Sequence, residues 1–135
     1  MNGTIENRFV LDTNAIIFLT TRGNVIPPDL ENALNEAALF TSVISEIEVF
    51  SKPALPPDEE ENLRSFLSEK ITIIDLTNDI KKETIALRRS TKLKLPDSIV
   101  AAASICHIEG DWVLLYRKSD EKVVFYYTGT HSDRL

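Results

Sequence analysis

The stretch Arg8-Phe-Val-Leu-Asp-Thr-Asn-Ala-Ile-Ile-Phe-Leu19, RFVLDTNAIIFL, decides how this chain is read. It is apolar on both sides of one acid, Asp12. Phe9-Val-Leu11 reads as a short strand that ends at Asp12, and Ala15 to Thr20 opens a helix with Thr13 or Asn14 near its cap. A carboxylate delivered to the end of a buried strand is costly unless something pairs with it. The rest of the sequence is searched for that partner.

The pattern continues as short strands alternating with helices. Asp29 to Ala38 reads as a helix, with Leu30, Ala33, Leu34 and Ala37 on one face, and Leu39 to Ser42 as a second strand. Val43 to Phe50 fits helical spacing better than alternation, with Ser42 and Ser45 as caps. Pro53, Pro56 and Pro57 mark a loop. Asp58 to Leu67 is a helix with acids in its first turn, where the helix dipole favours them. Ile71 to Ile74 is β-branched and strand-like. Thr77 caps a helix to about Ser90 that turns Ile80, Thr84, Leu87 and Ile85 inward. Pro96 starts another helix, with Asp97 in its first turn and Ile99, Val100, Ala103 and Cys106 available to pack. Trp112 to Leu115 is the next strand and Val123 to Tyr127 an edge strand. This alternation predicts an α/β fold with a parallel sheet covered by helices.

Composition sets bounds on function. The 135 residues suit one domain, 43% hydrophobic and 27% charged, as in ordinary globular proteins. No apolar run is long enough for a bilayer, and the first residues lack a basic-then-apolar signal pattern. The single cysteine, Cys106, cannot form an internal disulfide and reads as a small buried hydrophobe. These features favour the cytoplasm. Twenty-one acids against 15 bases give a net charge of −6. That argues against simple coating of DNA, and leaves room for an enzyme that gathers acids around a divalent cation. His107 and His131 are too few and too far apart for a zinc site or a Ser/His/Asp system, and the four glycines form no phosphate loop.

In parallel α/β folds functional groups collect at the carboxyl ends of the strands. Asp12 ends the first strand, Glu48 follows the second by about two helical turns, and Asp97 starts the helix before the fourth. Three converging acids repel one another unless they are protonated or share a cation. Mg²⁺ or Mn²⁺, hard ions with oxygen ligands, are the natural partners. Each acid alone has an ordinary explanation: a turn acid, a solvated helix face, an N-terminal helix charge. The combination carries the signal.

The blocks VLDTNAII (residues 10–17), TSVISEIEVFSKPAL (41–55) and ALRRSTKLKLPDSIVAAASI (86–105) resemble the PIN-domain ribonucleases, specifically the VapC-type toxins of type II toxin–antitoxin pairs. The resemblance covers roughly residues 8–108. It implies a PIN-like three-layer α/β domain over residues 1–135, with a parallel sheet of four to five strands between helices and an atypical segment after about residue 115. It implies Mg²⁺- or Mn²⁺-dependent endonucleolytic cleavage of RNA, often tRNA, by metal-activated water. The implied partners are an RNA substrate and a small antitoxin, and a homodimer is the implied assembly. Asp12, Glu48 and Asp97 match the family's acids, Glu46 points elsewhere, and Asn14 and, more weakly, Thr13 match the residues that order the site. The family's fourth position, a Thr, a variable residue, then Asp or Asn after a strand, is altered. Tyr116 replaces the threonine, Lys118 falls at the acid, and Asp120 is the remaining candidate metal ligand.

Residues 81–94 hold Lys81, Lys82, Arg88, Arg89, Lys92 and Lys94 against one acid, Glu83. A basic rim leading to Asp97 would attract a phosphate backbone, with Arg88 and Arg89 as RNA-binding candidates. Two other readings fit parts of the sequence. A catalytically weak PIN-type module acting through its antitoxin would accommodate the departures after Leu115. A receiver-like phosphoacceptor would want a second acid after Asp12, where Thr13 and Asn14 stand.

Overall fold

In a computed structural model, residues 8–107, 112–117 and 123–128 are described. The chain runs β1 (Arg8–Leu11), α1 (Thr13–Thr20), α2 (Pro28–Asn35), β2 (Ala38–Ser42), α3 (Val43–Phe50), α4 (Pro57–Lys70), β3 (Ile71–Ile74), α5 (Asn78–Ser90), α6 (Leu95–His107), β4 (Trp112–Arg117) and β5 (Val123–Thr128). The sheet order is β3-β2-β1-β4-β5. β1, β2, β3 and β4 run parallel, and β5 pairs antiparallel with β4. The expected parallel sheet therefore has four such strands and an antiparallel edge, which a hairpin-length connection from β4 permits and a parallel crossover would not.

β1 lies at the centre, and its alternation feeds both faces of the sheet. Phe9 and Leu11 join Ala15, Ile16, Leu39, Val49, Leu63, Leu67 and Ile71 in one core. Val10 joins Ile74, Ile80, Ile99, Val100, Ala102 and Ala103 in the other. A strand buried on both faces reads as continuously apolar, which is the character of Phe9-Val-Leu11. α3 reaches both cores, through Val49 on one side and Ile44 on the other. Ala102 and Ala103 are fully buried, so the small side chains of α6 let it lie close against its neighbours.

Helix ends follow their chemistry. Ser42 caps α3 by accepting from the Ser45 amide at 3.1 Å, and Thr77 caps α5 through the Ile80 amide at 3.3 Å. Pro28 and Pro57 open α2 and α4, where a missing N–H costs nothing. Helix α2 stops at Asn35 rather than Ala38, because Ala38 is already paired with Arg8 in the sheet. α4 runs on to Lys70, three residues past the expected end.

Two packing expectations are corrected. Ile85 is 53% exposed, since Ile80, Thr84 and Leu87 fill the inner stripe of α5 and leave it outside. Cys106 is exposed rather than buried, because it lies past the last buried turn of α6, with its thiol 3.6 Å from the Asp79 carbonyl. Among the described residues no helix is long and apolar enough to cross a membrane.

Candidate active site

Asp12 stands where β1 ends and α1 begins, and it is itself the N-cap of α1. Its Oδ1 accepts from the Ala15 amide at 2.8 Å. Sequence reasoning placed the cap at Thr13 or Asn14. The structure moves it back by one residue, because Asp12 keeps extended backbone while Thr13 is already helical. The turn is pinned from the neighbouring strand, where the Thr41 hydroxyl donates to the Leu11 carbonyl at 2.6 Å. Thr41 is fully buried. A hydroxyl directly after the apolar run Ala38-Leu-Phe40, next to the capping Ser42, is the one sequence signal for this residue.

Asp12 is only 5% exposed. Burial is the main reason its carboxyl is pushed up from 3.8 to about 7, with Asp97 and Glu48 adding repulsion and the Ala15 amide and its own amide opposing. Asp97, in the first turn of α6 and half-buried, is also raised, first by burial and then by Glu48, against a lowering by Lys94. Asp12 thus feels both other acids, and Asp97 feels Glu48. The topology brings the three predicted acids into one electrostatic neighbourhood. Among the described residues no Lys, Arg or His forms an ion pair with any of them.

Glu48, on α3, is half-buried and accepts a hydrogen bond from the Thr13 hydroxyl. Thr13, the weaker of the two support candidates in sequence, is therefore the one that ties two acid-bearing elements together. Asn14 is exposed, with no side-chain hydrogen bond among the described residues. Arg88 donates to the Leu93 carbonyl at 3.0 Å, and Arg89 is exposed. Asp120 and Lys118 lie outside the described residues, so the fourth corner of the site does too.

The donors fit a hard divalent cation in kind: carboxylate oxygens, one of them desolvated, with mutual repulsion that a cation relieves. Among the described residues, no three His, Cys, Asp or Glu side chains are drawn together closely enough to cage an ion as they stand.

The raised Asp12 carboxyl makes metal-free stability depend on pH. Below about pH 4 folded and unfolded chains both hold this proton. Between about pH 4 and 7 only the folded chain holds it, so stability falls as pH rises, by up to about 4 kcal/mol once the folded group ionises. Asp12→Asn keeps an oxygen for the Ala15 amide and removes the titration. In EDTA it is expected to melt higher than the unmutated chain at about pH 8, by roughly 1–4 kcal/mol, with the gap closing towards about pH 4. Parallel melting curves across this range would mean that the ionised carboxylate is well solvated.

Comparison with known proteins agrees with this fold. The family model of the PIN domain matches residues 9–113. The fold is similar to that of a chain in a toxin–antitoxin complex from Klebsiella pneumoniae, at 30% identity and a TM-score of 0.63, over 83% of this chain and 88% of that one. It is also similar to a chain of VapBC2 from Rickettsia felis, solved bound to a DNA fragment from their promoter, at 20% identity and a TM-score of 0.59, over 73% of this chain and 80% of that one. This second likeness concerns the fold alone. No curated protein matches the chain.

Proposed function

Since this chain belongs to the PIN-domain family, we propose that it is a divalent-metal-dependent endoribonuclease of the VapC type, the toxin half of a toxin–antitoxin pair. The observation that carries the reading is that Asp97 and Glu48 both act electrostatically on Asp12, and Glu48 on Asp97, although the three acids are far apart in sequence. The Klebsiella pneumoniae relative, solved as a toxin–antitoxin complex, supports a small antitoxin as partner. A second copy of the chain and an RNA substrate, tRNA among the candidates, complete the reading.

Asp12, Glu48 and Asp97 would hold Mg²⁺ or Mn²⁺, with Asp120 as a further candidate. When bound, such an ion acidifies water and offsets charge on a phosphodiester. The chain contributes position. The β1–β2 pairing and the Thr41 hydroxyl fix the end of β1, and the Ala15 amide orients the Asp12 carboxylate. Thr13 holds Glu48, which would ligand the ion or, in place of that, take the proton of the attacking water.

Purified protein supplied with Mg²⁺ is expected to cleave RNA internally, to stop with EDTA, and to recover with added Mn²⁺. Failure to cleave any RNA with the ion present would overturn the reading. Thr13→Val removes the hydrogen bond to Glu48 and keeps the shape. It is expected to lower kcat about tenfold, a loss of about 1.4 kcal/mol, whereas Thr13→Ser and Asn14→Ala stay within about twofold. Initial rates on one labelled RNA compare the three.

A further inference from the structure

The basic run has an internal division that its sequence does not reveal. Arg88 is occupied, since it donates to the Leu93 carbonyl and so clamps the end of α5 to the connection that follows. Thr91 strengthens the same bend. Its amide and hydroxyl both bond the Leu87 carbonyl, at 2.8 and 2.7 Å, and its hydroxyl accepts from the Leu93 amide at 3.2 Å. The Lys94 carbonyl accepts the first helical bond of α6, from the Ser98 amide at 2.9 Å, together with the Ser98 hydroxyl at 2.9 Å. Ser98 is fully buried. Residues 88–94 are thus a braced connection whose last side chain is an exposed lysine at the start of the helix that carries Asp97.

Lysine is a poor choice there on local grounds. The start of a helix favours anions and small capping side chains, and a cation is disfavoured. The bases in the last turn of α5, Arg88 and Arg89, need no such explanation, because cations suit a helix C-terminus. Lys94 acts on Asp97 electrostatically, yet among the described residues it makes no ion pair with it or any other acid. A residue that breaks a local rule beside a functional cluster is a candidate for function.

We propose that Lys94 docks a backbone phosphate of the RNA next to the acid cluster, on a connection that Arg88 and Thr91 hold in shape. This rests on the ribonuclease reading above and sharpens it. The ammonium group contributes one phosphate contact, and Arg88 is a positioning residue rather than an RNA ligand. An acidic chain needs such local positive charge, because its net −6 repels a polyanion.

The test uses full-length protein and a fluorescently labelled, mixed-sequence single-stranded RNA, with binding followed by anisotropy over a series of salt concentrations and cleavage followed in parallel. Lys94→Gln is expected to weaken binding about five- to tenfold and raise KM similarly, to leave kcat within about twofold, and to flatten the log–log salt dependence by about 0.7. Lys94→Arg restores both affinity and slope. Arg88→Ala weakens binding without changing the slope, because no phosphate contact is lost. Lys70→Gln, at the end of α4 on the other face of the sheet, leaves all values unchanged. An unmutated chain that cleaves RNA, with Lys94→Gln matching it in affinity and slope, would overturn the role of Lys94 alone. An unmutated chain that neither binds nor cleaves RNA would overturn the ribonuclease reading with it.

Discussion

Asp97→Asn is expected to lower RNA cleavage in Mg²⁺ by at least about a thousandfold, a loss of about 4 kcal/mol of transition-state stabilisation. The change removes one negative charge and almost no volume. Asp97 is half-buried in the first turn of α6, and its carboxyl is already pushed up by burial and by Glu48. Neutralising it therefore relieves repulsion in the metal-free chain, and the melting temperature should hold or rise slightly. Loss of activity with an intact melt separates a functional acid from a structural one. If cleavage persists with less than about a tenfold loss, Asp97 is an ordinary helix-start charge.

Leu11→Ala is expected to cost about 2–5 kcal/mol, a large share of the roughly 5–15 kcal/mol that holds a domain of this kind together. Leu11 is fully buried in the core shared with Ile16, Leu39 and Val49, on the central strand. The lost methyl groups leave a cavity bordered by β1 and α1, and both elements position Asp12. Urea denaturation should show a lower midpoint with an unchanged slope, and cleavage should fall with the folded fraction. A cost below about 1 kcal/mol would mean that this core readily closes over the gap.

Much of this architecture was legible because both sheet faces are covered. β-Branched and apolar runs such as Ile71 to Ile74 then have one sensible reading, and Pro28, Pro57 and Thr77 punctuate the helices by rules that depend on the backbone alone. The direction of β5 was not legible, since strand orientation depends on the connection and not on the strand's own pattern. Ile85 was misjudged because an α-helix offers more apolar residues than its neighbours can cover. Cys106 was misjudged because a small apolar residue does not reveal where its helix leaves the core.

The site divides in the same way. The three acids could be named from their local contexts, and the structure places them within one another's electrostatic reach. Their fastening could not be read. Thr13 bonding Glu48, Thr41 bonding Leu11 and Arg88 bonding Leu93 link residues or elements whose relation depends on the folded path of the chain. Sequence ranks Asn14 above Thr13 as the residue that orders the site, and the first turn of α1 reverses that order, because it is Thr13 that reaches Glu48.

The central claim is that Asp12, Glu48 and Asp97 share one cation site. Calorimetric titration of the metal-free protein with Mn²⁺ tests it most directly, with Asp12→Asn, Glu48→Gln and Asp97→Asn titrated beside it. The account predicts saturable binding by the unmutated chain, weakened at least about tenfold in each variant, with all four proteins folded. Equal binding by all four, or no binding by the unmutated chain, would contradict it.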